Sequence, residues 1–321
     1  MTVFLSILQS ILFSAVLPRF ILLFFIGKGI VMGAYRMRFT GVAAFLFVLL
    51  LMPLGHAAMI LMEHFMQGAA LNWAAFFLGV AGLLVAVVGS KLDKDSAATI
   101  CGFLGGIMVW TGWIEFCFVY FANRYGIEPV IVDGVVATKP EYLLLMSSVG
   151  FWGVIMALYI FRLKTGCNFY SWVQRVFGIR HSNSAERSVV LNKSFTTFME
   201  SIMILWTCYL VLMFAYDDRF LGDRHPVTIV IAFACLVWSV WLFARLVRIR
   251  AMGYAVRYAV PTVVIFWNFV EVMGRIGIMD EIWTNPLKYK FEMLMMLVAA
   301  VALLIGIVLK RNREKRNDAV N

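Results

Sequence analysis

The chain has 321 residues and a net charge of +10, from 28 Lys and Arg against 18 Asp and Glu. Hydrophobic residues make up 63% and charged residues only 14%, with mean hydropathy +0.88. A soluble domain of this length needs about a quarter of its residues charged, so a soluble globular fold is excluded.

Apolar runs of the ~20 residues that cross a bilayer core recur along the chain. The expected fold is all-α: a polytopic helical membrane protein with eight transmembrane helices in four hairpins, behind an N-terminal segment. That segment, 1–38, has its apolar run broken by Pro18-Arg19 and Lys28, and Ser6, Ser10 and Ser14 form a polar stripe at helical spacing. It reads as in-plane or re-entrant, with a ninth span as the alternative. The opening MTVFLSILQS lacks the basic region of a secretory signal, so no cleavage is expected.

Spans follow at 39–64, 72–90, 98–122 and 141–162, which make a first four-helix half over 39–163. Segment 164–193 is the one long internal loop. Phe169, Trp172, Val173, Val176 and Phe177 share one helical face there, with Gln174 and Arg175 opposite. This predicts an interfacial helix followed by a polar linker, and a place where a protein partner would dock. The second half, 194–310, carries spans at 194–216, 226–248, 255–277 and 288–309, and 311–321 is a basic tail. An even number of spans per half makes the halves a parallel repeat about the membrane normal.

The basic residues orient the set. With eight spans, 21 of the 28 fall on one face: the N-terminal segment, the 91–97 turn, 162–193, 245–257 and the chain after Leu309. The positive-inside rule makes that face cytoplasmic, which places the chain in the plasma membrane with both ends cytoplasmic. The charge excess is thus topological and calls for no nucleic-acid partner.

Three hairpins rhyme. The first helix of each carries Trp110-Thr111, Trp206-Thr207 or Trp267-Asn268, then runs to an arginine and a glycine: Arg124 and Gly126, Arg219 and Gly222, Arg275 and Gly277. The second helices open on Pro140, Pro226 and Pro286, and proline suits a first helical turn because its missing N–H would find no partner there anyway. Gly102, Gly105 and Gly106 predict close helix contact in the third span. The five cysteines lie scattered with no CxxC pair and read as small apolar residues.

The chain holds no GxxxxGK[ST], HExxH or GxSxG signature. Its signal is the carboxylates within apolar runs, since such groups are costly in hydrocarbon unless they face a partner, a cavity or water. Glu115 lies about seven residues inside the outer end of its span, ~10 Å deep at 1.5 Å per residue, and Glu271 is at similar depth. Glu63 and Asp217-Asp218 stand nearer the outer ends. Glu200, close to the basic end of span five, reads as interfacial. Glu115, Glu271 and Asp217, with Trp110, Trp206, Trp267 and Arg275, are the candidate substrate- or ion-binding set, an aromatic wall beside acids as cation sites use.

The competing expectation is structural: Arg124, Arg219 and Arg275 pair with those acids, Arg275 standing one turn beyond Glu271 on the same face. A second cluster, His56, Glu63, His64 and His225 with Met59 and Met66, has the ligand types of a transition-metal site. Three functions follow. The first is a transporter or channel-like protein for a small solute or ion, with an outward-facing acidic and aromatic cavity. The others are a membrane-embedded metal enzyme using the His and carboxylate cluster, and a non-catalytic subunit or scaffold docking through 164–193.

Overall fold

The computed structural model describes residues 39–132, 135–162, 168–176, 192–217, 220–279 and 281–318. The N-terminal segment 1–38, the linker 177–191 with Phe177 and His181, and Asp218 and Arg219 lie outside the described residues. Among the described residues, eight helices are long and apolar enough to cross a membrane, as in a multi-pass membrane protein. They are α1 (Phe39–Phe65), α2 (Ala69–Ser90), α3 (Asp95–Tyr125), α4 (Pro140–Ile160), α6 (Lys193–Tyr216), α7 (Pro226–Leu246), α8 (Met252–Arg275) and the apolar part of α9 (Lys290–Asp318). Between the fourth and fifth spans lies the short helix α5 (Asn168–Val176). The expected spans agree with these to within a few residues, because run length and turn residues set both ends.

Glycines stop α3 and α8 where the rhyming motifs place them, at Gly126 and Gly277, whereas Gly222 lies in the loop after α6 has ended at Tyr216. Gly126, Gly222 and Gly277 all have positive φ (61°, 97° and 78°), the left-handed conformation that closes a helix at little cost only for glycine. After Gly126, the Ile127 N–H returns to the Ala122 carbonyl at 3.0 Å, and after Gly277 the Ile278 N–H returns to Met273 at 3.0 Å. Pro140 and Pro226 occupy first-turn positions of α4 and α7. Pro286 differs: it starts a turn ahead of α9, which begins at Lys290.

α2 packs closely on α3 and α7 on α8, each pair connected across the basic face. Across the opposite face α1 touches α2 and α6 touches α7 only slightly, whereas the end of α3 packs on the start of α4. Further contacts also come in matching pairs. α3 packs on α6 as α8 packs on α1, and α4 packs on α6 as α9 packs on α1. A shift of four spans therefore carries one set of contacts onto the other, and α3 and α8 meet between the sets.

Small residues allow the close approach. A Cβ on Gly105 would stand 2.6 Å from the Gly82 carbonyl oxygen, and one on Gly106 would press on Phe198 and Ser201 of α6. Backbone separations this short bring many weak dispersion contacts together, the main source of helix association where apolar burial gains nothing over lipid. A short antiparallel ribbon, β1 (Val130–Val132) and β2 (Val135–Thr138), crosses the outer loop between α3 and α4.

One local expectation, that Gln174 faces outward, is corrected. On α5, Gln174 is buried and donates from Nε2 to the Ile160 carbonyl (3.0 Å), while Val176 is exposed; the helix is clasped by α4 and α8 rather than laid flat with its polar side outward. Glu200, near the basic end of α6, is enclosed by the protein and accepts from the Tyr159 hydroxyl at 2.9 Å.

Candidate functional site

The site begins with a break in α3. Residues Trp110–Glu115 form a single π turn, and the Phe116 N–H reaches back to the Thr111 carbonyl, five residues earlier. A π turn fits an extra residue into the helix and re-aims the side chains around it, and such turns recur at functional sites. Gly112 lets the wider turn lie against α2, since a Cβ there would stand 2.6 Å from both the Ala75 oxygen and the Gly79 nitrogen. Trp113 turns toward α2 and donates from Nε1 to the Phe76 carbonyl at 3.0 Å. Glu115 is buried in the protein, only 6% exposed.

No ion pair among the described residues involves Glu115, and its Oε1 is sealed from solvent without a hydrogen-bond partner there. The charges within electrostatic reach of it are Glu141, Lys139, Glu63 and Glu271. Acids from α1, α3, α4 and α8 thus share one neighbourhood with a single lysine. That lysine is half-exposed and 3.8 Å from Glu141, itself buried.

Aromatic rings connect the two deep acids. Trp110 stacks on Tyr209 (ring centroids 5.4 Å apart), Tyr209 stacks on Tyr142 (6.0 Å), and Trp206 stands edge-on to Trp110 (6.5 Å). Tyr142 and Tyr209 both lie within electrostatic reach of Glu115 and Glu271. Trp206 is held by a bond from Nε1 to Ser148 Oγ at 2.8 Å. Around the second acid, Trp267 donates from Nε1 to Glu271 (3.0 Å) and packs on Trp283 (4.8 Å). Glu271, Trp267, Tyr142 and Tyr209 keep partial exposure while Glu115, Trp110 and Trp206 are buried.

Arg275 makes no direct ion pair with Glu271, and Arg219 lies outside the described residues. Arg275 turns away from Glu271 and donates from Nε to Asp223 Oδ1 (2.7 Å) and from Nη2 to Thr138 Oγ1 (2.6 Å), with its guanidinium over the Tyr216 ring. It ties the loops at 126–139 and 217–225 together and reaches Glu271 only through space. Arg124 is exposed, and the Tyr216 hydroxyl is a second buried polar group without a partner among the described residues. In the 276–289 loop, burial pushes the Glu281 carboxyl above its ordinary pKa, and Arg275 opposes this.

Asp217 ends α6 and is not among the charges acting on Glu115 or Glu271. The metal set does not assemble: among the described residues, no group of three or more His, Cys, Asp or Glu is placed to hold an ion. His64 is exposed with its ring on Phe65, and the His225 Nδ1 accepts the Val227 N–H to cap α7. Of the expected binding residues, Glu115 and Glu271 lie within electrostatic reach of each other, Trp110 meets Trp206, and Trp267 bonds Glu271. The residues missed are Glu141, Lys139, Tyr142 and Tyr209.

At the opposite, basic end the same helices are fastened. Arg257 of α8, nearly buried, donates from Nη1 to Asp95 Oδ1 of α3 (3.0 Å) and to Thr99, and Lys193 of α6 stands 3.2 Å from Asp95. Comparison of the chain with known families, curated proteins and solved structures gives no match.

Proposed function

We propose that this chain is a transporter or channel-like protein for a small solute or ion, and that its substrate carries positive charge. The observation that carries the reading is Glu115: a buried carboxyl with a free oxygen, aimed by a π turn among three other carboxylates and walled by Tyr142, Tyr209 and Trp110. A structural acid would have found a donor. An acid that exchanges a ligand or a proton needs an open coordination position and the aromatic faces that stabilise cations.

The positive-inside rule would put the basic face in the cytoplasm and both chain ends with it, in the plasma membrane, so the acid site faces outward. The two halves, 39–163 and 194–310, would then form a parallel repeat with Glu115 and Glu271 as counterparts across their junction, where repeat-built transporters bind substrate. The Asp95–Arg257–Lys193 cluster ties α3, α6 and α8 at the basic end, and in this reading it is the closed inner gate of an outward-facing state.

The test is purified full-length protein in sealed vesicles, with influx followed for protons, alkali cations and small organic cations. Glu115→Gln should abolish an influx that the wild type supports while the protein remains folded. Equal influx in the two would overturn the proposal.

A further inference from the structure

A second site lies on the basic face. The last turn of α5 supplies Arg175 and the last turn of α7 supplies Arg245. Together they line a cavity of about 240 Å³ whose other walls include Phe169, Trp172, Trp241 and Tyr258. The Arg245 guanidinium sits 3.9 Å over the Trp241 ring, which fixes its plane while leaving its edge free. Both arginines are exposed, and among the described residues neither is within salt-bridge distance of a carboxylate. Two guanidinium groups facing one small cavity with no acid between them form an incomplete arrangement, because planar N–H forks match a phosphate in geometry and charge.

Trp241 also ends an open apolar groove along α7, lined by Val230, Phe233, Val237 and Trp238. From Val230 to Trp241 the helix rises ~16 Å at 1.5 Å per residue, about half of a ~30 Å hydrocarbon core. Trp238 bridges groove to cavity, with its ring 6.1 Å from Phe169 and 6.2 Å from Trp172. A charged cavity at the level of the tryptophans, continuous with an apolar trough one leaflet long, has the proportions of a headgroup joined to an acyl chain.

From this geometry we propose that Arg175 and Arg245 hold the phosphate of an anionic glycerophospholipid, one of whose chains lies along α7 between Trp241 and Val230. The lipid clamps α5 to the bundle, because α5 gives one arginine and α7 the other. The site is separate from the acids around Glu115 and stands whether or not they transport anything.

The experiment is native mass spectrometry of the full-length protein, titrated with phosphatidylglycerol, phosphatidylcholine or soluble glycerol 3-phosphate. The wild type should retain phosphatidylglycerol roughly thirtyfold better than phosphatidylcholine, the ratio two arginines near a lipid surface supply. The double variant Arg175→Gln, Arg245→Gln should lose that preference, and each single variant about half of it on a logarithmic scale. Both positions are exposed, so folding is not at stake. Val237→Gln should weaken retention of both lipids and leave the headgroup preference intact. Equal retention of the two lipids by the wild type would overturn the proposal, as would an unchanged preference in the double variant. So would glycerol 3-phosphate binding as tightly as the lipid, since the site would then recognise free phosphate without the groove.

Discussion

Replacing Glu115 with methionine separates a functional acid from a structural one. Methionine keeps the unbranched chain and its approximate length but removes the polar end, and with it the buried Oε1 that has no partner among the described residues. A buried polar atom left unsatisfied costs about 1–3 kcal/mol. Glu115→Met should therefore stabilise the protein by about that amount. At ~2 °C per kcal/mol for a chain somewhat larger than those on which the scaling rests, the midpoint should rise by about 2–6 °C. The same substitution should eliminate cation binding, read as the loss of saturable change in tryptophan emission, for which Trp110, Trp206 and Trp267 are placed. Gain of stability with loss of binding is the trade expected where an acid is kept for function. A fall in the midpoint of several degrees, with binding intact, would refute the reasoning and make Glu115 a structural tie.

Three further substitutions probe the frame around the site. Arg275→Met removes the Asp223 and Thr138 bonds together and should cost about 2 kcal/mol, between the values for exposed and fully buried pairs; a thermal double-mutant cycle with Asp223→Asn should recover a coupling of about 1 kcal/mol. Gly105→Ala drives a methyl group toward the Gly82 carbonyl oxygen and should destabilise by about 1–3 kcal/mol, seen as a lower midpoint and less folded protein on size-exclusion chromatography. Asp95→Asn weakens the link among α3, α6 and α8 and should admit impermeant thiol reagents from the basic face to a cysteine at position 209, which the parent protein excludes.

Run length and turn residues made the spans legible. Gly126 and Gly277 end helices because a left-handed residue must stand there, and the sequence shows it. Glu115 and Glu271 were legible for a different reason: a carboxylate within an apolar run is costly enough to announce itself. Their neighbours carried no such signal. Lys139 and Glu141 stand around a first-turn proline and read as helix-start residues, and only the folding of α4 against the end of α3 brings them to Glu115. Tyr209 follows Trp206 by three residues and so shares its face, a clue that its abundance among aromatics concealed.

The failures are tertiary in origin. Arg275 has helical spacing to Glu271, yet it stands at the last turn of α8, where its side chain can reach beyond the helix to Asp223. Gln174 seemed to face water because one amphipathic face was assigned to α5, but a helix held by two neighbours buries parts of both faces. The π turn at Trp110–Glu115 has no compositional mark; its wider winding is permitted by Gly112 against Gly79 on another helix.

Sided labelling of a cysteine at position 209, in a background free of the native cysteines, tests most directly whether these acids and tyrosines line one accessible space. Tyr209 stands between Trp110 and Tyr142 and within reach of both deep acids. In sealed vesicles, Tyr209→Cys should react with an impermeant maleimide from the face bearing the β1–β2 ribbon, and not from the basic face. Labelling from neither face, or from the basic face alone, would contradict the account.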